Sequence, residues 1–132
     1  MLSKMVLALT LLVLGSQDPY IERLRLDVQY RQWWSDMEKC SGLHKPVNAI
    51  SLYLVRDSLV VLRGYAYRVA AADPETQSVF LTQGTERMEP VVKHEMLHLL
   101  VGRPGHPQIP FMTCNVYESY HEPTILPHKV PQ

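Results

Sequence analysis

The sequence predicts an α+β domain in which a helix, a group of short strands and a second helix follow one another, with a loop-rich segment closing the chain. Three observations predict it. The early part has helical spacing after a helix-start signal, residues 47–83 hold apolar and β-branched runs cut by turn residues, and an apolar segment opens at Glu89-Pro90 and closes at Gly102. Strands bunched between helices favour α+β over a βαβ alternation. At 132 residues the chain fits one domain, here residues 17–132, with a working core but no second large lobe.

Asp18 followed by Pro19 reads as an N-cap with proline in the first helical position, opening a helix to about Lys39, before Ser41-Gly42. Ile21, Leu24, Val28 and the stretch from Trp34 to Met37 roughly keep helical spacing. Trp33 and Trp34 are adjacent and cannot share a face, so one of them is expected to lie partly exposed or over a sheet edge. VNAISLYLV and SLVVLRGYAYRVA, divided by Arg56-Asp57, predict a hairpin or two adjacent strands within a small, mainly antiparallel sheet. SVFLTQ, from Ser78 to Gln83, predicts a further strand after the break at Asp73-Pro74. The second helix accommodates Pro90 in its first turn and ends at Gly102, a residue suited to a left-handed C′ position.

The first stretch, MLSKMVLALTLLVLGSQ, has a cation at Lys4, an apolar run from Met5 to Leu14 and small residues at Gly15 and Ser16, the pattern of a signal peptide covering residues 1–16. The run falls short of the roughly 20 apolar residues a bilayer span needs, so no stable membrane anchor is expected after cleavage. The expected destination is secreted, periplasmic or extracellular. Without Lys4 the chain carries 12 basic and 13 acidic residues, a balance that leaves no electrostatic footprint for nucleic acid. Cys40 and Cys114 are an even pair in an exported chain, which predicts one disulfide joining the end of the first helix to the segment after the second. Metal ligation by the two is the competing reading, unsupported by any C-x-x-C spacing.

The second helix carries HEMLH. Residues four apart on a helix stand one above the other, so His94 and His98 aim their imidazoles at a common point and can chelate zinc. Glu95 is angled to reach a water at an open coordination position, where a carboxylate can accept the proton as that water attacks a carbonyl. A catalytic zinc takes three protein ligands. His106 is the first candidate for the third, because Gly102 ends the helix and Pro104-Gly105 can turn the chain back; Glu118 and His121 follow. His44 and His128 are expected to be solvated, and Met112 to pack in the core.

At these residues the sequence resembles the zincin metallopeptidases, whose HExxH helix lies beneath a sheet with a substrate-holding edge strand. The resemblance implies zinc ligation by His94 and His98, catalysis by Glu95, and a peptide or protein substrate. The metzincin continuation is not present, since Val101 and Pro104 occupy the positions of its glycine and third histidine. The longer string VVKHEMLHLLVGRPGHP is similar to small exported bacterial zincin-like proteins, and that likeness extends to WWSDMEKCSG around Cys40. SVFLTQ is then the candidate substrate edge, and Tyr117, Tyr120 and His121 are candidates to stabilise an oxyanion. Three functions follow from the residues: a zinc peptidase, a zinc-stabilised binding module without catalysis, and a metal-free domain whose histidines titrate.

Overall fold

A computed structural model of the protein describes residues 20–116. The elements run β1 (Ile21–Leu24), α1 (Val28–Ser41), a 3-10 turn (Val47–Ala49), β2 (Ser51–Val55), β3 (Val60–Leu62), β4 (Tyr65–Tyr67), β5 (Ala70–Asp73), β6 (Ser78–Thr82), α2 (Glu89–Val101) and the one-turn α3 (Gln108–Phe111). The α+β class is as the sequence predicts. The leader at residues 1–16 lies outside the described residues, and among those that are described no helix is long and apolar enough to cross a membrane.

The first helix starts later than the sequence reading places it. Asp27, not Asp18, is the N-cap: its carboxylate accepts the backbone N–H of Tyr30 at 3.1 Å and is held by the Arg87 guanidinium at 2.6 Å. Ile21–Leu24 instead pairs antiparallel with β2, Ile21 opposite Val55 and Leu24 opposite Leu52. Neighbouring side chains of a strand point to opposite faces, so Leu24 reaches the core while Arg23 points away to donate to Ser51 at 3.3 Å.

The main sheet has the order β1-β2-β6-β5 and is mixed rather than mainly antiparallel. β2 and β6 run parallel because β5 and β6 form an antiparallel pair that returns the chain in the sense of β2. One face packs on the helices: Leu52, Val79, Leu81 and Ala70 join Trp34, Met96, Leu97 and Leu100 in the principal core. The other face stacks Tyr53 on Phe80, with ring centroids 5.2 Å apart, and is covered by the β3–β4 hairpin through Val60, Leu62 and Tyr67 against Val55 and Ala71. That hairpin turns at Arg63 and Gly64, both at positive φ (51° and 80°), the backbone a two-residue hairpin of this hand requires. Arg63 then grips both carboxylate oxygens of Asp73 on β5 at 3.0 Å.

Neither tryptophan is exposed: Trp33 is 5% and Trp34 1% accessible. α1 is covered on two sides. Trp33 packs edge-on against Tyr30, 5.7 Å between centroids, while Trp34 enters the core and donates its indole N–H to the Lys45 carbonyl at 3.1 Å. Cys40 and Cys114 form the disulfide, with 5.2 Å between Cα atoms and a sequence separation of 74.

Candidate metal centre

α2 is apolar on every side because it is covered on every side. Val91, Val92, Met96, Leu97, Leu99 and Leu100 are buried together with His94, Glu95 and His98. Lys93 is its polar exit, bridging Glu89 at 2.6 Å within the helix and Asp36 of α1 at 3.2 Å. The helix stops at Gly102, which adopts φ 82° and donates its N–H to the His98 carbonyl at 2.9 Å. Lys45 completes that end by donating from Nζ to the Leu99 carbonyl at 2.6 Å, a cation where the helix dipole is negative.

The turn through Arg103, Pro104 and Gly105 brings His106 back beneath the helix. One ring nitrogen from each of His94, His98 and His106 lies within 4.8 Å of the others, and the Nε2 atoms of His94 and His106 are 3.0 Å apart. Two imidazoles on a tetrahedral zinc stand about 3.3 Å apart, given bonds of roughly 2.0–2.1 Å. The Phe111 ring floors the cluster, its centroid 5.1, 4.9 and 5.1 Å from those of His94, His98 and His106.

Backbone carbonyls fix which nitrogens can bind a cation. Nδ1 of His94 lies 3.2 Å from the Val116 carbonyl and Nδ1 of His98 lies 3.3 Å from the Arg103 carbonyl. A carbonyl only accepts, so in each ring Nδ1 carries the hydrogen and Nε2 keeps its lone pair for the cluster. Burial is the main cause that drives the His94 imidazolium down to about pKa 4, the His106 charge adding to it and the Val116 carbonyl opposing. His98 falls to about 3 for the same leading reason, with repulsion from His94 and His106 behind it and the Arg103 carbonyl opposing. Both rings are therefore neutral at pH 7, the protonation state a metal ligand needs. The donor set suits a divalent transition metal, imidazole being a ligand shared by zinc, copper, iron and nickel.

Glu95 is 1% accessible and, with His98, lines a cavity of about 150 Å³ whose other walls are Tyr67, Ala71, Ala72 and Pro104. His94, His98 and His106 thus come together as a cluster that could hold a metal ion. Glu118 and His121, the other ligand candidates, lie outside the described residues, as do Tyr117, Tyr120 and His128. His44 is solvent-facing, with Nδ1 3.1 Å from the Glu38 carboxylate. Met112 is 52% accessible, against the expectation that it packs inside; the single turn of α3 sends Phe111 inward and its neighbour out. Sequence reasoning missed Phe111, the two carbonyls and the alanine wall, since none carries a motif and two act through backbone alone.

Comparison with family models, with curated proteins and with solved structures found no match to this chain. The geometry of the site itself is therefore what a functional reading draws on.

Proposed function

We propose that the protein is an exported zinc-dependent hydrolase of the metallopeptidase kind, with His94, His98 and His106 as ligands and Glu95 as general base. One observation carries the reading: three imidazole nitrogens converge within 4.8 Å, two of them on rings held neutral, and a buried carboxylate shares the cavity of one of those rings. Zinc bound there supplies the Lewis acidity that makes water acidic near neutral pH. The Glu95 carboxylate accepts the proton of the attacking water and returns it to the leaving amine. Export rests on the leader-like residues 1–16 together with the disulfide, a bond that persists in oxidising compartments.

The substrate edge moves from SVFLTQ to β5. β6 is an interior strand, paired on both sides, whereas β5 ends the sheet and lines the cavity with Ala71 and Ala72, small enough for another backbone to come close. Tyr67 on β4 is the described tyrosine that lines this cavity, which makes it a candidate to steady an oxyanion in place of Tyr117 and Tyr120.

The test is zinc per chain for wild type, His94→Ala, His98→Ala and His106→Ala, with peptide hydrolysis measured for wild type and Glu95→Gln. Near-stoichiometric zinc lost in all three histidine variants, and hydrolysis lost in Glu95→Gln with zinc retained, are the expected results. Zinc without hydrolysis across a broad peptide library would leave the non-catalytic binding module. No zinc in wild type, even after reloading, would end both readings.

A further inference from the structure

At the edge of the sheet away from the metal centre, the end of β1 and the start of α1 border an open cleft of about 690 Å³ lined by Arg23, Arg25, Arg31, Asp27, Asn48 and Leu26 among others. Three sheet spacings, roughly 14 Å, separate β1 from the β5 edge that lines the histidine cavity. The volume lies in the range of ligand sites, about 300–1,000 Å³.

Arg56, Arg63 and Arg87 are each ion-paired, to Glu22, to Asp73 and Glu75, and to Asp27. Among the described residues, none of Arg23, Arg25 and Arg31 has a carboxylate within ion-pair distance. The acid that lines the cleft, Asp27, is already neutralised by Arg87 at 2.6 Å. Two of the three guanidiniums are oriented by neutral acceptors instead. Arg31 donates to the Leu26 carbonyl at 3.0 Å and to the Asn48 side-chain oxygen at 3.1 Å, and Arg23 donates to the Ser51 hydroxyl at 3.3 Å. Holding its oxygen on Arg31 leaves Asn48 its NH2 group as a further donor. A guanidinium presents a rigid, planar fork of N–H donors. Its planar donors match tetrahedral and carboxylate oxyanions in pairs of hydrogen bonds.

We propose that this cleft binds a small soluble polyanion carrying phosphate or sulfate groups, at a site separate from the metal centre. Three guanidiniums exceed what one monoanion needs, and a chain of formal net charge +0 has no overall charge to draw it to a nucleic-acid backbone.

The experiment is calorimetric titration of the metal-loaded protein with sucrose octasulfate, a sulfated probe without strong affinity for zinc, at about 0.15 M salt. The expected result is one saturable site per chain, weakened about tenfold by Arg25→Gln and about a hundredfold by the Arg23→Gln/Arg25→Gln pair, with metal content unchanged. Arg25 makes no side-chain hydrogen bond or ion pair among the described residues, so its variant should fold as wild type does, which circular dichroism verifies. The proposal is overturned by no saturation up to about 1 mM, by unchanged affinity in the double variant, or by loss of binding in His98→Ala. An oligothymidylate of equal charge that binds as tightly would also overturn it, since binding would then follow charge alone.

Discussion

His94 and His98 illustrate how one side chain's surroundings set both its chemistry and its cost. In the unfolded chain each imidazole takes up a proton near pH 6.5, whereas in the fold burial resists protonation until about pH 4 for His94 and about pH 3 for His98. Above pH 6.5 both states are neutral and the difference vanishes. As the pH falls from 6.5 towards 4, only the unfolded chain gains these protons, so the metal-free protein loses stability through that window. His94 alone accounts for a loss on the order of 3 kcal/mol by pH 4. Urea unfolding of chelator-treated protein at pH 7, 5.5 and 4.5 should show the decline, and His94→Phe, which removes one of the two titrating rings, should cut it by about half; an undiminished decline in that variant would assign the acid sensitivity elsewhere. Glu95 lies on the same helix with a different duty. Glu95→Gln keeps the shape and removes the proton acceptor, so hydrolysis should fall by about 10²-fold or more while zinc content stays at the wild-type level.

α2 shows what an element contributes that its motif does not. Gly102 at φ 82° both ends the helix and starts the turn that carries the Arg103 carbonyl to His98 and His106 to the cluster. A Cβ at Gly102 would meet Lys45 Nζ at 3.5 Å, an ordinary contact, so the cost of Gly102→Ala is the left-handed backbone alone, about 1 kcal/mol. Denaturant unfolding should register that loss, and zinc binding should weaken with it, because the strain falls on the turn between His98 and His106. No change in either would mean the turn is set by Lys45 and Phe111 instead. This helix was legible in the sequence from end to end, since proline, the i,i+4 histidines and a terminal glycine are local signals. β1 was not, because IERL places its two apolar residues three apart, a helical spacing, and its strand pairing depends on β2, some 30 residues on. The interior position of β6 was hidden for a related reason. SVFLT is uniformly strand-like, and whether such a run ends a sheet or fills its middle depends on which partners flank it, here β2 on one side and β5 on the other.

At the scale of the molecule, the disulfide and the metal centre are mechanically continuous. Cys114 is tied to Cys40 at the end of α1, and two residues later the Val116 carbonyl receives the Nδ1 hydrogen of His94. Phe111, three residues before Cys114, floors the histidine cluster. The bond thus anchors the whole segment that supports the site from below, besides closing a loop of 74 residues. Chain entropy alone makes its removal cost about 4 kcal/mol. A purely entropic role would leave the folded site intact, so Cys40→Ser/Cys114→Ser would melt earlier yet bind zinc as wild type does. The shared segment predicts more. Losing the anchor frees the carbonyl that fixes the His94 tautomer, and partners of this kind are worth about 10- to 100-fold in metal affinity. Competition titration with a zinc-binding dye, well below the melting temperature of the variant, should therefore show weaker binding by about tenfold or more. Equal affinity would confine the disulfide to the stability of the fold.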